Sequence, residues 1–362
     1  MFCERNNFNH REKIGASQIA FINSPTLKLN FTGAASVADF SLIDNAICKV
    51  ILDIIASMAV LPNRYLVKLD VANDYFKTYQ HHLGVLRLTV DKVTGLAGRK
   101  KTGVMGFLDK ISKDVPDCYC KVRVGAEKDV WRTSTKQNEL EPVWDETHDF
   151  LVMDHDQFVS IDLRDEDIGG DGAVGLGITS IKQLLLSGGT QELSLIHGGE
   201  TTATGIKLTL RAEYYHFVPD ATSLSPSGGN NAAQDRICGL ATVLIASVNG
   251  LTGHREDLKP SVKVSWGAKE FRTSTMSYSP GVDIFNPGFD TPFKFPITAD
   301  MISEPAAFKV TLMNKDEEAG KVDIPFIDVL NAPGMVLQDK FAVGSGAVVR
   351  ACICVSGTQL AK

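Results

Sequence analysis

Leu163-Arg164-Asp165-Glu166-Asp167-Ile168-Gly169-Gly170-Asp171-Gly172 links two runs of different character from the charged residues between them. Phe158-Val159-Ser160-Ile161-Asp162-Leu163 alternates before the acidic residues, and Ala173-Val174-Gly175-Leu176-Gly177-Ile178 follows them. Alternation with period two predicts a half-buried strand. The acidic residues therefore fall on a turn between strands, where a rigid sheet presents side chains to ligands. Three aspartates and a glutamate this close repel one another unless a cation or a basic partner neutralises them. A hard divalent cation such as Ca²⁺ takes roughly six to eight oxygen ligands, mostly carboxylate and carbonyl. Asp165, Asp167 and Asp171 can supply several of these, and the competing reading is a solvated acidic turn.

The chain has 362 residues, enough for two or three domains with substantial cores. Its formal net charge of −6 argues against a general nucleic-acid binder and leaves room for local basic patches. The seven cysteines are odd in number and sparse, which excludes a secreted disulfide framework. Cys118 and Cys120, like Cys352 and Cys354, have the spacing of one strand face. No C-x-x-C or paired histidine stands at ligand spacing, so zinc is not expected. Residues 1–10 are polar and mixed in charge, unlike a signal peptide. The longest apolar run, residues 50–61, is broken by Asp53 and falls short of the about 20 residues that span a bilayer. A cytoplasmic chain without a membrane anchor of its own is expected. No P-loop, G-x-S-x-G or kinase signature is present, so the chain reads as no enzyme.

Apolar residues at 43, 47, 51, 54, 55 and 58 recur at helical spacing behind Asp39 or Ser41 as a cap. Pro62 ends that helix, and strands are expected over residues 27–31 and 65–69. From residue 84, eight short strand-like runs separated by Gly and Asp turns predict an antiparallel β-sandwich. A stretch rich in Ser, Gly, Asn and Ala, 219–235, reads as a flexible linker. The pattern then repeats. Lys263-Val264-Ser265-Trp266-Gly267-Ala268 parallels Lys121-Val122-Arg123-Val124-Gly125-Ala126, and Phe271-Arg272-Thr273-Ser274-Thr275 parallels Trp131-Arg132-Thr133-Ser134-Thr135. A preserved order means a second copy of the fold. Lys259 there replaces Asp117 and Asn314 replaces Asp165, so the second copy is not expected to hold a cation.

Val115-Pro116-Asp117-Cys118-Tyr119-Cys120-Lys121-Val122 resembles the Ser-Asp-Pro-Tyr-x-x-Val motif of C2 domains. Glu141-Pro142-Val143-Trp144-Asp145-Glu146 resembles their Asn-Pro-x-Trp-Asn-Glu, and the acidic turn resembles their third, calcium-binding loop. Asn30-Phe31-Thr32-Gly33, the helix and Val60-Leu61-Pro62-Asn63-Arg64 look like the end of a synaptotagmin-like, mitochondrial and lipid-binding (SMP) domain. In extended synaptotagmins, tricalbins and plant synaptotagmins that element precedes C2 domains. The resemblance implies a mainly β fold: two antiparallel eight-stranded β-sandwiches of C2 type behind a short α/β segment. The expected divisions are a poorly structured 1–24, an SMP remnant 25–80, a first C2 domain 84–216, a linker 217–236 and a degenerate second C2 domain 237–358.

Carried over residue by residue, the resemblance puts Asp117, Asp165, Asp167 and Asp171 on calcium-ligand positions, with no clean match for the aspartate that the family's first loop adds. In the long first loop, Val104, Phe107 and Leu108 share a helical face flanked by Lys100 and Lys101. Such a face suits an anionic bilayer, or covers the sandwich's own end. Lys121, Arg123 and Arg132 resemble the basic groove with which some C2 domains hold phosphoinositide head groups, the alternative being a solvated sheet face. The implied function is calcium-regulated binding of anionic phospholipid membranes in tethering or lipid transport, peripheral at membranes. With an anchor in a longer protein it would act at contacts between endoplasmic reticulum and plasma membrane, with homodimerisation through an SMP-like segment. The alternative is a calcium-independent scaffold for protein or constitutive lipid contact.

Overall fold

The computed structural model describes residues 15–28, 41–70, 74–97, 115–126, 130–167, 170–197, 203–224, 235–303 and 306–361, with residues 41–46 as backbone alone. Two compact units emerge, one of Met1–Asn73 with His82–Tyr214, the other of Asp74–His81 with Tyr215–Lys362.

In the first unit, β1 (Ala16–Ile19) and β2 (Tyr65–Lys68) form an antiparallel ribbon, and α1 (Ser41–Ala59) begins at the expected cap. The helix stops before the cis Leu61–Pro62 peptide. Of the apolar face expected on it, Ile47, Ile54 and Met58 are exposed. Residues 24–28 carry no regular structure, so the strand expected at 27–31 does not form there; its remainder lies outside the described residues. Asn23 ties this segment to the sandwich. Its amide donates to the Asp156 carbonyl at 2.8 Å and accepts from the Phe158 N–H at 2.7 Å. In the second unit, α2 (Tyr75–Thr78) is capped by Asp74, whose carboxylate accepts from the Phe76 N–H at 3.3 Å.

The first sandwich contains β3 (Gly84–Thr94), β4 (Cys118–Val124), β5 (Trp131–Arg132), β6 (Val143–Val152), β7 (Phe158–Asp165), β8 (Gly172–Ser180), β9 (Thr190–Ile196) and β10 (Ala203–Val218). One layer runs β6-β3-β10-β9 and the other β8-β7-β4-β5. Among the described residues a single ladder pair, Leu176 with Ile196, joins them along one edge. Leu86, Leu88, Cys118, Cys120, Val122, Ile161, Leu163 and Leu208 fill the space between the layers. Removing that apolar surface from water, at roughly 25 cal/mol per Å², is the main force holding the layers together. A short helix the alternation did not announce, α3 (Ile181–Leu186), starts in a capping box between Ser180 and Gln183.

The second sandwich repeats the plan with β11 (Gly239–Asn249), β12 (Pro260–Trp266), β13 (Lys269–Arg272), β14 (Gly288–Ile297), β15 (Phe308–Asn314), β16 (Glu317–Ile324), β17 (Val336–Gly344) and β18 (Ala347–Leu360). Its layers run β14-β11-β18-β17 and β13-β12-β15-β16. Trp266, Phe295, Phe308 and Phe326 form an aromatic cluster in its core. The repeat extends to backbone irregularities. Gly125 and Gly267 end β4 and β12 with φ of 57° and 58°, where a side chain would be strained. Asp145 and Asp290 occupy the left-handed region at φ of 51° and 42°, each in the strand that pairs with the sandwich's first. The fold is mainly β because both copies bury one face of their alternating strands between two layers.

Candidate functional site

The acidic turn lies where β4 and β7 begin and end side by side. The ladder pairs Cys118 with Asp165, which brings the residue before Cys118 to the same sheet end. Asp165 is 8% exposed, and its Oδ1 accepts the Asp117 N–H at 2.8 Å. The Asp117 carbonyl accepts the Glu166 N–H at 2.9 Å, while its Oδ1 accepts the Asn138 N–H at 2.8 Å. The backbone thus holds Asp117 and Asp165 together as a pair. Asp167 is exposed on the turn, its carbonyl accepting the Gly170 N–H at 3.1 Å. Asp171 goes elsewhere, since its Oδ2 accepts a hydrogen bond from the Tyr119 hydroxyl. Among the described residues no three His, Cys, Asp or Glu side chains gather as a metal-holding group. The donor chemistry fits calcium, but the arrangement is a pair with an exposed neighbour, and Asp171 does not join it.

The strand pleat explains where Asp171 has gone. Cys118, Cys120 and Val122 face the core, so Tyr119, Lys121 and Arg123 point to the opposite face. Lys121 pairs across the ladder with Arg132, which brings three expected residues, Lys121, Arg123 and Arg132, onto one face. Arg132 stacks its guanidinium 3.8 Å from the Tyr119 ring centroid, and Lys121 Nζ lies 5.5 Å from it. Arg132 also binds Glu166 at 2.6 Å, and Thr135 donates to the same carboxylate at 2.6 Å. Arg164 pairs with Asp162 at 2.7 Å and reaches the Asp171 carbonyl at 3.4 Å.

The electrostatics follow these contacts. The Tyr119 hydrogen bond, aided by Lys121, Arg132 and Arg164, holds the Asp171 carboxyl below its ordinary range. Thr135 and then Arg132 do the same for Glu166. Burial, followed by the Asp171 contact, pushes the Tyr119 phenol up to about 12. Tyr119, Thr135, Arg164 and Glu166 were not among the expected site residues. Strand alternation could have found Tyr119, because it is two residues before Lys121. The other expected lipid-contact residues, Lys100, Lys101, Val104, Phe107 and Leu108, lie outside the described residues.

The second sandwich keeps the backbone of this site without its charges. Asn314 Oδ1 accepts the Lys259 N–H at 2.7 Å, and the Lys315 N–H donates to the Lys259 carbonyl at 3.0 Å. Both bonds copy those of Asp165 and Glu166. Arg272 donates through Nε to Ser261 Oγ at 2.8 Å and through Nη1 to Asp316 at 3.3 Å. Its Nη2 donates to the Lys315 carbonyl. Lys263 pairs with Glu270 at 3.3 Å.

Comparisons with known proteins agree with the fold. Mouse extended synaptotagmin-1 is 24% identical over 345 residues, covering 92% of this chain and 30% of its own length. Mouse extended synaptotagmin-2 is 25% identical over 353 residues, covering 92% of this chain and 39% of its own. The chain therefore spans about a third of the length of the curated relatives it matches. A solved structure of extended synaptotagmin 2, holding its SMP domain and two C2 domains, superposes with a TM-score of 0.65 at 21% identity, covering 98% of this chain and 74% of that one. A calcium-bound structure of the same two C2 domains gives 0.62 at 20% identity, covering 78% and 100%. These likenesses concern the fold. The family description "C2 domain" matches residues 84–194 and again 239–337, more than half of the sequence, and the chain belongs to the C2-domain family as a tandem member resembling the extended synaptotagmins.

Proposed function

We propose that this chain is a non-enzymatic, phospholipid-binding tandem C2 module of the extended-synaptotagmin type, serving membrane tethering or lipid trafficking at a membrane contact site, and that calcium regulates its first domain. The observation that carries the reading is the Asp117–Asp165 pair, clamped by backbone amides at one sheet end beside exposed Asp167. Lys121, Arg123 and Arg132 provide the cationic face that an anionic head group requires. Calcium, when bound, supplies positive charge on the turn and open coordination positions for a lipid phosphate. Asp117, Asp165 and Asp167 would hold it. The second domain, with Lys259 and Asn314 in place of two carboxylates, contributes contact that does not depend on calcium.

The relatives support membrane work, and a cytoplasmic position at the membrane surface is part of the proposal. Among the described residues no helix is long and apolar enough to cross a bilayer. A second reading, a calcium-independent scaffold, is favoured by the engagement of Asp171 with Tyr119 and by the lack of a three-carboxylate group among the described residues. Calcium titration of the chain by calorimetry, with sedimentation on anionic vesicles, separates the two. Binding heat with calcium-dependent sedimentation, both lost in the Asp165→Asn/Asp167→Asn double variant, is the expected result. Equal sedimentation in calcium and in chelator, with no heat, gives the scaffold reading the lead.

A further inference from the structure

Ala351, Ile353 and Val355 of β18 face the core of the second sandwich, so Cys352 and Cys354 stand on the opposite face of the strand. Both thiols are nevertheless buried, at 2% and 9% exposed, and their sulfurs lie 3.5 Å apart. On one side the ladder sets them against Leu244 and Thr242 of β11. On the other it sets them against Gln338 and Val336, exposed residues of the edge strand β17. Arg350 precedes Cys352 by two residues on the same face. Its guanidinium binds Asp74 at 2.8 Å and so fastens the segment 74–81 to this sheet.

The first sandwich shows that the fold does not require sulfur at these positions. A Cβ on Gly95 would meet the Gly205 carbonyl at 2.6 Å, and one on Gly250 the Gly346 carbonyl at 3.0 Å, which sets residue 205 of one copy against 346 of the other. Cys352 and Cys354 then answer to Arg211 and Glu213, both exposed. With Cys354 as donor, its hydrogen bond holds the Cys352 thiol below its ordinary value, against burial and the Asp74 carboxylate. Giving that hydrogen, together with burial, pushes the Cys354 thiol up. One sulfur is the readier thiolate, the form that reacts, and the other stands beside it to resolve the product. Same-face neighbours on a strand are about 6.6 Å apart, close to the upper limit of roughly 6.8 Å for Cα atoms joined by a disulfide. Bridging draws β18 together between two ladders, and a bond strained in this way is readily reduced again.

We propose that a hydroperoxide converts Cys352 and Cys354 into a reversible disulfide, and that this bond draws Arg350 from Asp74 and releases the segment 74–81. The Cys352 thiolate attacks one oxygen of the peroxide. The O–O bond breaks, and the departing oxygen takes the proton that Cys352 gave up, leaving as water or alcohol. The Cys354 sulfur then attacks the resulting sulfenic acid. The S–O bond breaks, its hydroxyl leaves as water with the Cys354 proton, and the S–S bond forms. Two thiols are oxidised and one peroxide is reduced.

The test treats the full chain with hydrogen peroxide, blocks remaining thiols with a maleimide and maps the tryptic fragments by mass. Trypsin cuts after Arg350, so fragment 351–362 carries both cysteines and no other. Amide hydrogen exchange across 74–81 is followed in parallel for wild type and Cys354→Ser, with a thermal scan of each. The wild-type fragment is expected unblocked and lighter by the two hydrogens lost, and restored by dithiothreitol. Exchange across 74–81 is expected to quicken roughly three- to tenfold, the worth of one partly buried ion pair, and to be unmoved by peroxide in Cys354→Ser. Two blocked thiols after treatment, or oxidation to sulfinic acids without a bridge, overturns the proposal; this mapping needs wild type alone and stands even where the variant fails to fold. A bridge that leaves exchange unchanged overturns the release of the segment. Quickening that persists in Cys354→Ser assigns the effect to oxidation elsewhere and overturns it as well.

Discussion

At residue 165 the two sandwiches perform an experiment on each other. Asp165 and Asn314 accept the same backbone N–H, from Asp117 and Lys259, at 2.8 and 2.7 Å. An amide oxygen can therefore do the structural task of the carboxylate oxygen, and only the charge distinguishes them. Asp165→Asn is expected to leave stability within about 1 kcal/mol of wild type while removing one negative charge from the turn. Asp165→Ala leaves the half-buried Asp117 amide without its acceptor, and should cost about 1.5–3 kcal/mol, the range for a hydrogen bond to a charged group. Denaturant unfolding of the two variants checks this. Equal losses in both would mean that charge, and not the hydrogen bond, stabilises the sheet end. The sequence shows the Asp-to-Asn exchange but not that the oxygen position is shared between copies, because that depends on β4 and β7 ending in the same register.

At the scale of an element, a 3₁₀ turn over Ala221–Leu224 shows how a polar residue fixes an apolar one. Asp220 accepts the Thr222 N–H at 3.0 Å and its hydroxyl at 2.7 Å, which starts the turn. Leu224 then enters the core of the second sandwich. It packs where Gly239 has no side chain: a Cβ there would meet Leu224 Cδ2 at 2.5 Å. The Thr222 bonds lower the Asp220 pKa. A carboxyl lowered by folding stabilises fully above its unfolded value, about 4, and loses that contribution as pH falls through the folded value. Thermal midpoints followed from about pH 6 to 3 should fall more steeply for wild type than for Asp220→Asn. Parallel curves would show that the cap does not contribute. Sequence reading treats this stretch as linker because it is rich in Ser, Gly, Asn and Ala; the anchoring of Leu224 is visible only against Gly239 and its neighbours.

At the scale of the whole molecule, chain order and unit membership part company. Residues 74–81 precede the first sandwich, and the sequence reading places them with the N-terminal segment, yet they group with the second unit. Arg350 of β18 binds Asp74 at 2.8 Å and lies 4.7 Å from the Phe76 ring centroid, while Tyr75 is buried. Arg350→Ala is expected to speed amide hydrogen exchange across 74–81 and to leave the β4 segment, 118–124, unchanged. Unchanged exchange at 74–81 would mean that Tyr75 alone secures the strap. Local opening of this kind is governed by the contacts of the opened segment, so a single ion pair at its edge can dominate its rate.

The sequence by itself determined the class of fold, because strand periodicity and turn residues are local properties, and a repeat of both in the same order admits one architecture twice. It also determined which copy retains the carboxylates, since Lys259 and Asn314 are read directly. The tertiary structure alone decided where those carboxylates go. Asp171 is drawn to Tyr119, Lys121 and Arg132 on the outer face of the sheet, away from Asp117 and Asp165, by residues more than thirty positions distant in the chain. Likewise, the apolar face of α1 was legible, but not that Ile54 would remain 53% exposed, because burial depends on what else is present to pack against it. Hydrogen-bond partners and burial are properties of the assembled layers, and no periodicity in one strand encodes which side chain of another will compete for its charges.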